Sequence, residues 1–151
     1  MTVIAINDRG NFDILYFPKN FNVDIYDEYA YGSEVVETLE KNIVRYGVKI
    51  GKEYTVHGIL SYKNQNRFLI IDEMNEWSFI PCEIFVVYDN NINKNWFYNH
   101  YVTNSGLLSI ISYSYITNDY NSFVKLIEGD SDIIYSLYKY IIIPTESEKI
   151  D

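Results

Sequence analysis

The sequence predicts an α+β fold: a small, strongly bent antiparallel β-sheet or barrel, with one helix before it and helices after it. Three observations carry this. Glu53 to Tyr88 divides into short apolar runs separated by polar turns. Apolar residues between Ser33 and Tyr46, and again after Asp119, recur at helical spacing. The 151 residues are 48% hydrophobic and 22% charged, the composition of a globular chain able to build a core without disulfide or metal staples. The chain reads as a single domain over 1–151, with N-terminal strands and a helix in 1–47, the bent sheet in 48–89 and a helical part in 90–144.

Taken in order, Thr2 to Ile6 reads as a strand, Arg9-Gly10-Asn11 as a turn, and Asp13 to Phe17 as a partner for the first strand. Pro18 to Tyr31 reads as irregular and polar. A helix is expected from Ser33 to Tyr46. Ser33 is a suitable N-cap, Val35, Val36, Leu39, Ile43 and Tyr46 supply the apolar stripe, and Gly47 is the C-cap. Val48 to Lys52 leads into a strand from Glu53 to Tyr62. A loop at Lys63 to Asn66, a strand at Arg67 to Ile71, a turn at Asp72 to Asn75 and a strand at Glu76 to Ile80 follow. Pro81-Cys82-Glu83 breaks the pattern before a last strand, Ile84 to Tyr88. Beyond an asparagine-rich loop, Trp96 to Tyr101 fits helix or strand equally, and Leu107 to Ile116 has mixed periodicity. Asp119 and Asp130 (or Ser131) read as caps of two helices, with Gly129 between them and Pro144 as the stop.

Composition narrows the function. Twelve basic residues stand against 21 acidic ones, for a net charge of -9. Phosphate backbones are held by Lys and Arg, and this chain has three arginines, so nucleic acid and anionic membranes are not expected partners. The acidic excess suits a basic protein partner, because opposite potentials raise the on-rate, although a negative charge of this size more often serves solubility alone. The longest apolar runs, such as Ile84 to Tyr88, are far too short to span a bilayer, and the first residues lack a basic region followed by an apolar one. A cytoplasmic location is expected.

The charge is uneven. From Asn20 to Glu40 there are six acids and no Lys or Arg; from Phe68 to Asp89 there are five acids, again with no base. Tyrosine and tryptophan fall among them, and aromatics supply most interface hot spots. Partner contact is therefore placed on Asp24, Tyr26, Asp27, Glu28 and Tyr31, with Asp72, Glu73, Glu76 and Trp77 as the second choice. A chain with 22 Ile, 16 Asn, 16 Tyr and two Ala also carries the mark of A+T-rich coding, so part of the tyrosine count is mutational.

Catalytic and metal motifs were weighed against simpler readings. Cys82 is the only cysteine, so no disulfide or multi-cysteine zinc site forms within the chain. Its one conceivable base partner, His57, sits mid-strand with no spacing that forces contact, and a lone cysteine at a strand break reads as a small buried hydrophobe. His100 lies in an aromatic run without ligand spacing. Glu128, Asp130 and Asp132 alternate like calcium ligands, but the sixth position counted from Glu128 is Ile133 where glycine is required. No phosphate-loop, dinucleotide or nucleophile-elbow pattern is present. The chain is expected to use no cofactor and no metal, and not to be an enzyme.

Gly51-Lys52-Glu53-Tyr54-Thr55-Val56, Arg67 to Asp72, and Ser78 to Phe85 with its Pro81-x-x-x-Phe85 turn together resemble the SH3-like mini-barrels of small bacterial and phage proteins. Trp96-Phe97, Tyr113 and Leu126-Ile127 in the C-terminal half resemble cytoplasmic immunity proteins that accompany bacterial toxins. The resemblance implies a protein that neutralises a cognate toxin by binding it. With the acidic charge, that toxin is expected to be basic and of the nuclease type. The competing expectations are a small enzyme or ligand-binding domain using the barrel cleft, and a phage or mobile-element accessory protein. Residues 1–31 match neither resemblance, and the oligomeric state is left open by the sequence.

Overall fold

The computed structural model describes residues 1–11, 15–18, 28–31, 34–35 and 43–143, with side chains for 1–9 and 45–143. The strands are β1 (Thr2–Ala5), β2 (Arg9–Asn11), β3 (Leu15–Pro18), β4 (Glu28–Tyr31), β5 (Glu34–Val35), β6 (Ile43–Arg45), β7 (Glu53–Thr55), β8 (Gly58–Tyr62), β9 (Gln65–Ile71) and β10 (Trp77–Pro81). A 3-10 turn, Cys82–Ile84, leads into β11 (Phe85–Asp89), β12 (Phe97–Thr103) and β13 (Gly106–Ser112). Helices α1 (Ser114–Thr117), α2 (Tyr120–Ile127) and α3 (Ser131–Leu137) follow, the last running into a π-helical turn, Tyr138–Ile142.

The fold is α+β, as the sequence predicts. It is organised by a five-stranded antiparallel sheet in the order β10-β9-β8-β13-β12 and a three-stranded sheet in the order β11-β1-β7. The result is a bent sheet, not a closed barrel. The expected strand from Glu53 to Tyr62 breaks at Val56-His57 and changes sheet there, β7 lying in the small one and β8 in the large one. Gly58 allows the change. It pairs with both Leu69 and Ser112, and a Cβ on it would stand 2.9 Å from the Ser112 side chain and 3.0 Å from the Ile111 carbonyl. The chain changes sheet again at the 3-10 turn, after which β11 pairs with β1.

Alternation along the strands builds two cores, one on each face of the large sheet. Phe68 and Ile70 of β9 and Ile80 of β10 face the small sheet, meeting Val3, Ala5, Tyr54, Val56, Ile84 and Phe85. Leu60 and Tyr62 of β8, Leu69 of β9, and Trp77 and Phe79 of β10 face the helices. A strand covered on both faces reads as an unbroken apolar run, which is why Phe68 to Ile71 shows no polar alternation. The helices bring Phe123, Val124, Leu126, Ile133 and Leu137 to the second core. Each such side chain, fully buried, contributes on the order of 2 kcal/mol. The caps lie where the sequence places them. Asp119 accepts a hydrogen bond from Ser122 N at 2.7 Å, and Asp130 accepts from Asp132 N at 2.9 Å. Gly129, at φ +72°, ends α2 in the left-handed conformation.

Four expectations are corrected. Arg9 to Asn11 is not a turn but β2, paired with β6. The strand at Leu15–Pro18 pairs with β4, within the segment expected to be irregular, and β1 pairs instead with β7 and β11. The helix expected from Ser33 to Tyr46 is replaced, at its described residues, by β5 and β6, paired Glu34 with Arg45 and Val35 with Val44; residues 36–42 lie outside the described set. Val35, Ile43 and Val44 are β-branched, and cross-strand pairing of such residues outweighs a stripe that also fits a helix. Finally, the C-terminal part is not helical from its start: β12 and β13 extend the large sheet beyond β8. Pro144, the expected helix stop, lies outside the described residues.

Candidate functional site

The first-choice contact residues Asp24, Tyr26 and Asp27 lie outside the described residues. Glu28 and Tyr31 are the two ends of β4, described for backbone only. The topology shows where the chain that contains this segment leaves the sheet and where it rejoins it. Ile4 of β1 pairs with Glu53 of β7, and Gly51 N donates to the Ala5 carbonyl at 2.8 Å. The whole stretch between Ala5 and Gly51 therefore departs from and returns to two neighbouring strands. It is an insertion between paired strands of a packed sheet, the kind of position from which scaffolded segments bind.

The second-choice residues separate into two pairs. Asp72 is buried, and its carboxylate accepts hydrogen bonds from Met74 N (2.9 Å), Glu76 N (3.0 Å) and Ser78 Oγ (2.8 Å). It closes the β9–β10 turn, in which Asn75 takes φ +62°. Trp77 is buried in the helix-side core, its ring edge-on to Tyr138 at 6.1 Å. Glu76 remains exposed. The Glu73 carboxylate accepts from Lys52 Nζ at 2.8 Å and from the Tyr54 hydroxyl at 2.5 Å. These bonds hold the Glu73 carboxyl below its ordinary range, Lys52 first and Tyr54 second. Of this group, Glu73 and Glu76 face solvent, while Asp72 and Trp77 serve the turn and the core.

His57 and Cys82 are both shifted by burial, and they belong to opposite faces of the large sheet: His57 lies against Trp77, Cys82 against the small-sheet core. Burial pushes the His57 imidazole down to about 4. Its Nδ1 shares a 2.8 Å hydrogen bond with the Tyr113 hydroxyl, and its ring lies 4.9 Å from that of Trp77. Burial, with Glu83 adding to it, pushes the Cys82 thiol up to about 12, so a thiolate nucleophile is not available near neutrality. Cys82 packs against the other core, the one that contains Tyr46 and Ile84. The space between the two sheets, where a barrel cleft would open, is filled by Phe68, Ile70, Ile80 and Phe85. Among the described residues, no group of three or more His, Cys, Asp or Glu is placed to hold a metal. No described helix is long and apolar enough to cross a membrane.

One surface escaped the sequence reading. From Asn95 to Asn118 there is no Asp, Glu, Lys or Arg, in a chain that is 22% charged. This stretch contains the β12–β13 hairpin. One face of the hairpin carries the cross-strand pairs Tyr98–Ile111, His100–Ser109 and Val102–Leu107. Tyr98 is 59% exposed, Val102 70% and Leu107 54%. The opposite face is anchored: Tyr101 meets Tyr120 edge-on at 5.0 Å, and Asn99 Nδ2 donates to the Thr117 carbonyl at 2.8 Å. The signal in the sequence was the missing charge, not a periodicity.

No family model, no curated protein and no solved structure matches this chain.

Proposed function

We propose that this protein acts by binding another protein, as an immunity-type inhibitor that neutralises a cognate, basic bacterial toxin domain inside the producing cell. The observation that supports this best is the insertion of the chain's base-free acidic stretch between two paired strands, β1 and β7. The small sheet holds the two ends of an insertion that contains the base-free run of six acids from Asn20 to Glu40, the insertion's own bases (Arg9, Lys19, Lys41, Arg45 and Lys49) lying outside that run. Such a segment attracts the Lys and Arg with which a nuclease holds phosphate, and blocks them by pairing. Its tyrosines supply area at low entropic cost.

The test is co-expression with the product of the gene that neighbours this one in its genome, which on this reading arrests growth when expressed alone. Growth should be restored by the wild-type protein. Asp27→Lys combined with Glu28→Lys should slow association severalfold and flatten its dependence on salt, while Tyr26→Ala should mainly speed dissociation. A folded protein that neither restores growth nor binds that product would overturn the reading.

A further inference from the structure

We propose that β12 is a self-association strand: two copies of the chain pair antiparallel through β12 about a twofold axis at His100, joining their large sheets into one. The proposal is independent of the toxin reading. β12 is an edge strand, paired among the described strands with β13 alone. An edge leaves a row of backbone N–H and C=O groups as a template for another strand. In an antiparallel pair, alternate residues turn these groups away from the partner. His100 N donates to the Asn99 side chain at 2.9 Å, which marks the outward set as Tyr98, His100 and Val102.

That set is self-complementary. With His100 opposite His100 of a second copy, Tyr98 lies opposite Val102 and Val102 opposite Tyr98. These are aromatic to β-branched pairs, among the stabilising cross-strand combinations, and they occur twice by symmetry. The occupant follows from charge. A copy of a protein with net charge -9 is repelled by most of its own surface, and can approach where there is none. A basic partner, in contrast, gains nothing from an uncharged face and is drawn to the acids. The other edges of the large and small sheets suit a second copy less. β7 carries Glu53 and β11 carries Asp89, while β10 ends in Pro81 with mostly buried side chains. The Asn99 side chain already occupies the His100 N–H, so pairing exchanges one bond for another, and a short strand interface of this kind is reversible rather than permanent.

Sedimentation of the full chain should show a mass that rises with concentration from one copy towards two. Tyr98→Lys combined with Val102→Lys should remain monomeric throughout while melting like wild type. Residues directly opposite across the axis bring their Cα atoms within disulfide reach, so oxidised His100→Cys should become a covalent dimer. Val102→Cys alone and the wild type, with only the half-buried Cys82, should not. A wild type that stays monomeric into the millimolar range overturns the proposal. So does a dimer that persists in the double lysine variant, or crosslinking at Val102→Cys in preference to His100→Cys.

Discussion

At the Asp72–Trp77 turn, a carboxylate and an indole are buried; along β12–β13, uncharged aromatic and aliphatic side chains face water. Both segments mix polar with aromatic residues and both border the large sheet. They differ in what lies above them. The β9–β10 turn closes over two packed layers, so Asp72 must be satisfied internally and Trp77 has a core to enter. The β12–β13 hairpin is covered by α1 and α2 on one face only, so alternate residues on the other are left bare. Acidity marks the fold's internal wiring in the first region, and neutrality marks an open surface in the second.

The largest break in this comparison is expected at Asp72. Asp72→Ala strands two backbone N–H groups and the Ser78 hydroxyl in a half-buried turn, and should lower unfolding free energy by about 4 kcal/mol in denaturant titration. A loss under about 1 kcal/mol would mean that water replaces the carboxylate and the turn is not organised by it.

Next in size is the buried histidine beneath Trp77. Burial first, and the N-terminal amine second, push the His57 imidazole from its ordinary 6.5 down to about 4 in the folded protein. Between those values the unfolded chain binds the extra proton. The contribution is therefore complete above pH 6.5 and drains as pH falls towards 4, by about 3 kcal/mol over the window. His57→Gln should flatten the stability profile between those limits. A wild-type profile with no slope there would show that His57 is already protonated or solvent-reached.

Gly58 comes third. Gly58→Ala forces a Cβ against Ser112 and the Ile111 carbonyl, where β8 joins β13, and should cost about 2 kcal/mol. Ser112→Ala in the same chain should recover none of it, since alanine keeps the Cβ that stands 2.9 Å away and loses the bond that Ser112 Oγ donates to the His57 carbonyl at 2.6 Å. Equal stability of Gly58→Ala and wild type would mean that the hairpin can slide outward, and that the closeness of the two strands is not what holds β12 in place.

How much of this was legible varies with the physics of each segment. Asp119 and Asp130 as caps, Gly129 as a stop and the β8-to-β10 meander rest on local chemistry, and a local reading finds them. The β8–β9 turn was visible but too wide: Lys63 and Asn64, at φ 51° and 60°, close it with two residues, and Gln65 already belongs to β9. Val35, Ile43 and Val44 suit either a helical stripe or paired strands, and the choice is made by partners far along the chain. The neighbours of β1, 49 to 87 residues away, leave no mark in its own four residues. Asp72 and Trp77 looked like contact residues because composition cannot tell an acid that faces a partner from one that closes a turn.

A smaller effect is expected at Cys82. Its thiol is half-buried beside the small-sheet core, so Cys82→Ala should cost about 1 kcal/mol and leave binding to the proposed partner unchanged. Loss of binding with intact folding would show that the thiol takes part in function, and would move attention from both surfaces to the 3-10 turn.

The smallest stability effect, and the sharpest test of the contrast, belongs to the hairpin itself. Tyr98 and Val102 are more than half exposed, and neither belongs to the buried core, so removing their apolar atoms opens no cavity in the isolated chain. A lysine at either place keeps its amine in water while its stem lies along the sheet. Each substitution should therefore change unfolding free energy by less than about 0.5 kcal/mol, measured at concentrations low enough to hold one copy apart from another. Under the same conditions Trp77→Lys should fail to fold stably, because its side chain has no route to solvent from the helix-side core. If Tyr98→Lys or Val102→Lys instead costs as much as a core substitution, the hairpin face is covered within the single chain. The contrast between an internal acidic turn and an open neutral surface would then be lost, together with the assignment of β12 to self-association.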